Sequence, residues 1–267
     1  MRNNAPETGA ANFANGVPSV PPRVAVRGLT MSYDGRVIMG DLDFHVNPGE
    51  IFVIMGGSGC GKSTLLRHLV GLETPASGSI FFNGHDFTKA TETMRNALLR
   101  HFGVTWQNGA LWTSLTLLEN VSLPLREHTR LSPREITDIA RYKLAITGLA
   151  GFEDYMPAQI SGGMVKRASL ARALALDPHT LFLDEPGAGL DPLTSRLLDD
   201  LLLQIRDSLG TTLVLVTHEL SSIFAIADRA LFLDTATRTV GGIGPPAELR
   251  DHSPNPRLRR FLTRGTP

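Results

Sequence analysis

A glycine-rich segment that ends in Lys, Ser and Thr is the part of the sequence best suited to bind phosphate. It follows the apolar run Ile51 to Met55 and precedes leucines at helical spacing, so it links a predicted strand to a predicted helix. Glycines let the backbone wrap around phosphates with its N–H groups inward, and a helix N-terminus favours negative charge. In this P-loop pattern we expect Lys62 to neutralise phosphate charge and Ser63 to ligate Mg²⁺; a chance glycine-rich turn is the alternative. The predicted phosphate-binding residues are Gly56, Gly57, Ser58, Gly59, Cys60, Gly61, Lys62, Ser63 and Thr64.

Two adjacent carboxylates form a second candidate site. Asp184 and Glu185 follow the apolar run Leu181 to Leu183, at the exit of a predicted strand, where α/β proteins bind ligands. We expect Asp184 to complete the Mg²⁺ shell and Glu185 to act as general base toward an attacking water. An acidic pair at a strand end can also cap the next helix, and it is the P-loop that favours the catalytic interpretation.

The segment Ser161-Gly162-Gly163 opens a predicted helix that has no proline before Pro178. It supplies a second group of backbone N–H donors at a helix N-terminus, where negative charge is stabilised. By itself it is an N-cap followed by glycines. Its position shortly before the strand that leads to Asp184 is what distinguishes it from an ordinary helix cap.

The order of predicted elements indicates an α/β protein. From Val24 to Phe82, short β-branched and aromatic runs alternate with turn residues, as strands do. The stretch 91–176 reads mostly as helix, with apolar residues three and four positions apart, and we interpret it as a helical insertion. After it, short apolar runs between helical segments predict buried parallel strands. Those runs are Leu181 to Leu183, Thr212 to Val216 and Ala230 to Leu233.

Composition limits the functions that the chain can have. At 267 residues with 42% apolar side chains, it can form one large globular domain or two joined subdomains. Lys+Arg and Asp+Glu are both 26, so no general field attracts nucleic acid, and we expect no nucleic-acid partner. The single cysteine excludes an internal disulfide, which suits a reducing cytoplasm.

The ends of the chain differ from its middle. Residues 1–22 lack the basic start and apolar stretch of a secretory signal, and we interpret them as a disordered tail. No apolar run approaches the roughly 20 residues of a membrane-spanning helix, so a role at a membrane would need another chain to span it. The basic, amphipathic tail 245–267 is expected to dock on its own domain, and contact with a partner or with lipid headgroups is the alternative.

These motifs and their order resemble the ABC ATPase superfamily across roughly Val24 to Gly242. The resemblance implies an α/β P-loop ABC ATPase fold with a mostly parallel core sheet, an antiparallel β subdomain and a helical subdomain insertion. It places the ATPase domain at 23–244 and the helical subdomain at about 91–176. It also implies that Ser161, Gly162 and Gly163 contact ATP held by the P-loop of a second copy, in a head-to-tail dimer.

Four further residues match positions of that family. Tyr33 matches the aromatic residue that stacks on adenine. Gln107, which follows a predicted strand from Val104 to Trp106, matches the glutamine that senses Mg²⁺ and the attacking water. Asp191, in Gly189-Leu190-Asp191, matches the loop that links the two active sites, although it could equally form a turn before a helix at Pro192. His218 matches the switch histidine that contacts the γ-phosphate. Without the resemblance, each would be an ordinary structural residue.

Finer resemblance is to the Mla/MCE-type lipid-transport ATPases of Gram-negative bacteria, also described as organic-solvent-tolerance or toluene-tolerance ATPases. Met164 and Ile160 depart from the usual glutamine and leucine of the superfamily but leave Ser-Gly-Gly intact. The segments that carry the resemblance are Trp106 to Leu111, Ser114 to Thr116, Glu119 to Val121, Ser161 to Met164 and Pro256 to Leu262.

This finer resemblance implies a role in phospholipid transport between inner and outer membranes, which maintains outer-membrane lipid asymmetry. The implied assembly is an ATPase dimer on the cytoplasmic face of the inner membrane, bound to an integral permease. An MCE-domain lipid-binding protein and a small STAS-domain regulator are further expected partners. ATP and Mg²⁺ are the implied cofactors.

Three other interpretations compete with this one. A soluble ABC ATPase of DNA repair or translation usually has two cassettes or a coiled-coil insertion, and neither is present. A catalytically dead scaffold is disfavoured because Lys62, Asp184, Glu185 and His218 are all in place. An ABC transporter for another cargo, such as an amino acid, a peptide or a drug, stays open because cargo does not touch the ATPase.

Cys60 raises a separate hypothesis, because it lies inside the predicted P-loop. We expect its thiol to lie near bound phosphate, so that alkylation blocks ATP binding. The alternative is that it is a small filler residue.

Overall fold

The computed structural model of the chain describes residues 21–264. Nearly all of the predicted N-terminal tail, and residues 265–267 of the predicted C-terminal tail, therefore lie outside the described residues. The strands within 21–264 are β1 (Val24–Tyr33), β2 (Arg36–Val46), β3 (Ile51–Gly56), β4 (Ser77–Phe82), β5 (His85–Asp86), β6 (Phe102–Thr105), β7 (Thr180–Asp184), β8 (Thr212–Val216), β9 (Arg229–Asp234) and β10 (Thr239–Gly244). The helices are α1 (Lys62–Leu69), α2 (Glu92–Leu99), α3 (Leu117–His128), α4 (Pro133–Ile146), α5 (Gly162–Ala173), α6 (Pro192–Leu209), α7 (Leu220–Ile226), α8 (Pro246–His252) and α9 (Pro256–Leu262), with a 3-10 turn at Pro157–Gln159.

The larger sheet has six strands in the order β10-β9-β3-β8-β7-β6. Strands β9, β3, β8, β7 and β6 run parallel to one another, and β10 pairs antiparallel with β9 at one edge. Every residue of β3, β7 and β8 is buried, because the sheet is covered on both faces. The prediction of buried parallel strands from the apolar runs is confirmed.

The smaller sheet is antiparallel, with four strands in the order β2-β1-β4-β5. Buried positions largely alternate along β1 and β2, as expected where one sheet face packs on a core and the other meets water. Its inner face and α1 pack against one face of the larger sheet, where the rings of Phe44 and Phe52 stack with centroids 5.7 Å apart. The two-sheet α/β architecture expected from the sequence is therefore present.

Helices cover the opposite face of the larger sheet. Leucines of α6 and α9 pack there against Val53 of β3 and Leu215 of β8. A third core joins α3, α4 and α5 around Val121, Leu144 and Ala168. The N-termini of α3 and α4 are closed by capping boxes, from Thr116 with Glu119 and from Ser132 with Glu135, which satisfy N–H groups that would otherwise lack partners.

The predicted helical stretch 91–176 contains a strand of the core sheet. Strand β6 spans Phe102–Thr105, whereas the sequence suggested a strand at 104–106. The difference arises because Phe102 packs against Phe82 and Phe182, with ring centroids 4.3 and 5.4 Å away. This aromatic cluster fixes the start of β6 beside β7. The domain boundaries themselves stay predictions.

The C-terminal segment docks on the domain, as the first of the two alternatives proposed. In α9, Leu258 and Leu262 are buried in the core beneath the larger sheet, and Phe261 packs on Phe232. Asn255 caps the helix and donates to Asp234 over 3.0 Å. The apolar residues thus hold the segment, while Arg257, Arg259 and Arg260 stay exposed.

Between residues 21 and 264, none of the helices has both the length and the apolar character that crossing a bilayer requires.

Replacing Leu258 by Ala should release the C-terminal segment. Leu258 is fully buried, so the change should cost about 2–5 kcal/mol and lower the thermal midpoint, with faster hydrogen exchange confined to α8 and α9. The matched control is Arg259→Ala, an exposed position of the same helix, which should stay within about 0.5 kcal/mol. Equal stability of the two variants would contradict the docking.

Candidate active site

The carboxyl ends of β3, β7 and β8 meet at one edge of the larger sheet and surround a cavity of about 790 Å³. The strands pair so that Ile54 and Asp184 both lie opposite Val216. As a result, the loop after β3, the acidic pair at the end of β7 and the histidine after β8 converge. The predicted residues that line the cavity are Gly56, Gly57, Ser58, Gly59, Cys60, Gly61, Lys62, Ser63, Thr64, Gln107, Glu185 and His218.

Two glycines of the loop are required by its geometry. Gly56 has φ +156°, and a Cβ there would lie 2.6 Å from Cys60 Sγ and 2.9 Å from the Leu233 carbonyl oxygen. Gly61 precedes α1 in the left-handed region, with φ +93°. The loop therefore turns back on itself and delivers the N-terminus of α1 to the cavity.

Lys62 is the cation inside this loop. Its side chain is nearly buried, at 9% exposure, and Nζ donates to the carbonyl oxygens of Gly56 over 3.1 Å and Gly57 over 3.2 Å. The ammonium is thus held over the loop by neutral acceptors, without an ion pair among the described residues. Its charge stays available for an anion in the cavity.

Ser63 and Asp184 bring two oxygens together. The Ser63 hydroxyl donates to Asp184 Oδ1 over 3.1 Å. Burial raises the pKa of Asp184 and the neighbouring Glu185 adds to this, while the Ser63 hydrogen bond, Arg67 and Lys62 oppose it. A hydroxyl and a carboxylate at this spacing suit a hard divalent cation, which would favour the ionised carboxylate.

Glu185 is held at both its backbone and its side chain. Its φ is +47°, an uncommon value for a residue with a side chain, and its N–H donates to the Val216 carbonyl over 2.8 Å. Oε1 lies 2.7 Å from His218 Nδ1, while Oε2 is buried with no hydrogen-bond partner among the described residues. A buried carboxylate oxygen without a donor is costly, so Oε2 is suited to receive a proton or a hydrogen bond from a small ligand.

Cys60 does not fit the hypothesis made from its position. Although its residue lines the cavity, the side chain is 2% exposed and packs in the core beside Gly56. Burial raises the pKa of the thiol despite the opposing charge of Lys62. The structure thus favours the alternative of a small filler residue.

Tyr33, Ser161, Gly162, Gly163 and Asp191 lie outside the set of residues that lines this cavity. Tyr33 is 71% exposed near the end of β1. Ser161 caps α5 by accepting from the Met164 N–H, and Asp191 caps α6 by accepting from two N–H groups. Within one copy, these residues therefore have the structural roles that the sequence left open as alternatives.

Some residues at the site were not predicted from the sequence. Ile38, Leu220, Phe261 and Arg264 also line the cavity. Arg264 follows α9 and reaches the cavity because that helix docks beneath the sheet. Lys166 of α5 donates to the carbonyl oxygens of Glu185 and Ala188. The basic character of the tail was visible in the sequence, but the position of Arg264 depends on tertiary packing.

Comparison with known proteins identifies this arrangement. The family model described as "ABC transporter" matches residues 39–188, which is more than half of the chain. The chain belongs to the ABC transporter family. The matched range includes the P-loop and the acidic pair Asp184 and Glu185.

Three relatives illustrate this membership of the ABC transporter family. "Probable ribonucleotide transport ATP-binding protein mkl" of Mycobacterium tuberculosis is 39% identical over 90% of this chain, which spans only 66% of the mycobacterial protein. "Intermembrane phospholipid transport system ATP-binding protein MlaF" of Escherichia coli is 36% identical over 91% of this chain and 90% of MlaF. The dimeric post-hydrolysis structure of the ATP-binding cassette MJ0796, bound to ADP and Pi, superposes with a TM-score of 0.76 at 29% identity, over 83% of this chain and 98% of that one.

Alkylation tests the position of Cys60. Because the thiol is buried and its pKa is raised, iodoacetamide at neutral pH should label the folded chain at least about tenfold more slowly than the urea-unfolded chain. Cys60 is the single cysteine of the sequence, so mass spectrometry of the intact chain reads the reaction directly. Equal rates in the two states would show that the thiol faces the cavity after all.

Proposed function

We propose that this ABC ATPase hydrolyses ATP to drive phospholipid transport between the inner and outer membranes. The ATPase part rests on one cavity that is lined by the P-loop, Glu185 and His218. Asp184 joins this site by accepting a hydrogen bond from Ser63 of the P-loop. The phospholipid part rests on the similarity to MlaF, which extends over nine-tenths of both chains. Such transport maintains the lipid asymmetry of the outer membrane.

In this proposal the P-loop binds the phosphates of ATP. Its residues Gly56 to Thr64 surround the cavity, and the N-terminus of α1 adds N–H donors and a favourable dipole for the β- and γ-phosphates. Lys62 supplies the positive charge, exchanging its contacts with the carbonyls of Gly56 and Gly57 for phosphate oxygens.

The donor set fits Mg²⁺, since Ser63 and Asp184 already lie within hydrogen-bond distance and offer oxygen ligands. Gln107, which lines the same cavity, is a third candidate. When bound, the ion neutralises charge that develops on the phosphates. Asp184 must be ionised to hold it.

Glu185 is the proposed general base. Oε2, which lacks a hydrogen-bond partner among the described residues, accepts a proton from the attacking water as its oxygen bonds to the γ-phosphorus. The bond from that phosphorus to the bridging oxygen breaks, and ADP leaves with the electron pair. His218 holds Oε1 and so orients the carboxylate, and its other ring nitrogen can approach the γ-phosphate.

A second copy completes each ATP site in this proposal. Gly162 has no atom within 4 Å of where its Cβ would lie, so the N-terminus of α5 is open to an incoming phosphate. The exposed ring of Tyr33 is available to stack on adenine, and Asp191 lies in the loop between the sites. Support for a pair comes from MJ0796, which forms a dimer in its ADP-bound structure.

An integral permease is the proposed partner of the segment after Gln107. Trp112 is 59% exposed there, although its backbone is held firmly by the buried side chain of Asn120. An exposed aromatic ring on a fixed backbone is typical of an interface anchor. The assembly would lie at the cytoplasmic face of the inner membrane, with an MCE-domain lipid-binding protein and a STAS-domain regulator as further partners.

Ribonucleotide transport is a second candidate, because the relative mkl carries that description at 39% identity. Phospholipid transport is favoured because MlaF matches over 90% of its own length and mkl over only 66%.

Replacing Glu185 by Gln should separate ATP binding from hydrolysis. The amide keeps the shape of the side chain but cannot accept the proton, so kcat should fall by about 10²–10⁴-fold while ATP affinity is retained. Phosphate release and equilibrium binding of a fluorescent ATP analogue measure the two effects. Lys62→Ala is the comparison, since it should lose binding as well. Normal turnover by Glu185→Gln would remove Glu185 from the mechanism.

The cargo can be tested by gentle detergent extraction of the tagged full chain, followed by mass spectrometry of co-purified proteins and lipids. We expect a permease, an MCE-domain protein and phospholipid. The matched control is Trp112→Ala, which should reduce recovery of the permease without affecting ATP binding. Recovery of a permease with a solute-binding protein, and without phospholipid, would overturn the lipid assignment and leave the ATPase assignment standing.

A further inference from the structure

Lys166 links helix α5 to the backbone of the proposed general base. Its Nζ donates to the carbonyl oxygen of Glu185 over 3.2 Å and to that of Ala188 over 2.6 Å. We propose that Lys166 is a positioning residue that holds Glu185 in its hydrolytic geometry and ties it to the position of α5. This inference rests on the proposed function, in which Glu185 activates water.

The backbone that Lys166 holds is strained. Glu185 has φ +47°, and the Ala188 N–H donates to the Glu185 carbonyl over 3.2 Å to close a turn. A residue with a side chain adopts such a φ at a cost, and surrounding contacts must over-determine it. Val216 binds the N–H of Glu185, His218 binds its carboxylate, and Lys166 binds its carbonyl. Val216 and His218 belong to β8 and the loop after it, whereas Lys166 belongs to helix α5.

The hydrogen bonds of Lys166 Nζ are made to backbone carbonyl oxygens. No carboxylate lies within 4.0 Å of Nζ among the described residues, so the ammonium forms no ion pair there. Burial lowers the pKa of Lys166, while the charges of Glu219 and Glu185 oppose this. The ammonium has three donors, and two of them are directed at carbonyls of one turn. It thus fixes the spacing between α5 and that turn.

Helix α5 also contacts the first turn of α6, which follows the turn at Glu185. A Cβ on Gly163 would lie 2.8 Å from Thr194 Cγ2, and Thr194 donates to Asp191. Lys166 is one helical turn beyond Gly163. In the proposed dimer, the N-terminus of α5 lies against the nucleotide of the second copy. A movement of that end of the helix would therefore be transmitted to the carbonyl of Glu185 through the helical turn from Gly163 to Lys166.

Steady-state ATPase kinetics of the full chain test this role. Lys166→Met keeps the length of the side chain but removes its donors, so kcat should fall about tenfold or more, with KM for ATP changed less than about twofold. Lys166→Arg, which retains charged donors, should recover most of kcat. Arg167→Met is the matched control, because Arg167 is the next residue of α5 and donates to the Gly148 carbonyl over 3.4 Å, away from Glu185.

Each outcome bears on the proposal. Wild-type kcat in Lys166→Met, a rise in KM alone, or an equal loss of kcat in Arg167→Met would overturn it. If Lys166→Met proves unstable by its thermal midpoint, Lys166→Gln retains a neutral donor and should give an intermediate kcat; a wild-type kcat there would also count against the proposal. Failure of wild type to hydrolyse ATP would instead overturn the proposed function, and that result is separate from any difference among these variants.

Discussion

Parallel strands of one sheet must end at the same edge, and every part of the proposed ATPase site depends on that constraint. The P-loop, the acidic pair and His218 are far apart in the sequence, yet each lies at the carboxyl end of a strand of the same sheet. Pairing of Ile54 and Asp184 with the same residue, Val216, aligns the strand ends and sets the distances between the functional groups. Strand register thus brings the functional groups together, and the loops determine their local geometry.

Burial of charge is the second feature of the site. Lys62, Asp184 and Glu185 are each less than a tenth exposed, and buried charges are costly unless they are partnered. Lys62 is satisfied by carbonyl groups and Asp184 by the Ser63 hydroxyl, whereas Glu185 Oε2 lacks a partner among the described residues. Polyphosphate, a divalent cation and water would supply the missing partners together. The site is therefore arranged so that its charges are balanced best in the presence of its substrate.

Much of this could be predicted from the sequence, and the exceptions have physical causes. Strands β3, β7 and β8 are continuous apolar runs because both faces of the sheet are covered, so they were evident. The start of β6 was misplaced because it depends on how Phe102 packs against distant rings. The thiol of Cys60 was expected at the cavity, but in the folded chain it packs in the core beside Gly56, which the sequence alone does not reveal. Lys166 gave no signal, since a lysine on a helix usually faces solvent and its contact with Glu185 requires the folded chain.

The measurement that tests the central claim most directly is ATP hydrolysis by heterodimers with one damaged motif on each copy. One copy would carry Lys62→Ala and the other Gly162→Glu, a site where the structure leaves space for a side chain, and two different tags would isolate the mixed pair. If each ATP site combines the P-loop of one copy with Ser161-Gly162-Gly163 of the other, this pair keeps one intact site. Single-turnover hydrolysis should then yield about one ADP per dimer. A pair with both changes on the same copy is the negative control. If the mixed pair shows no more hydrolysis than this control, the composite site is contradicted.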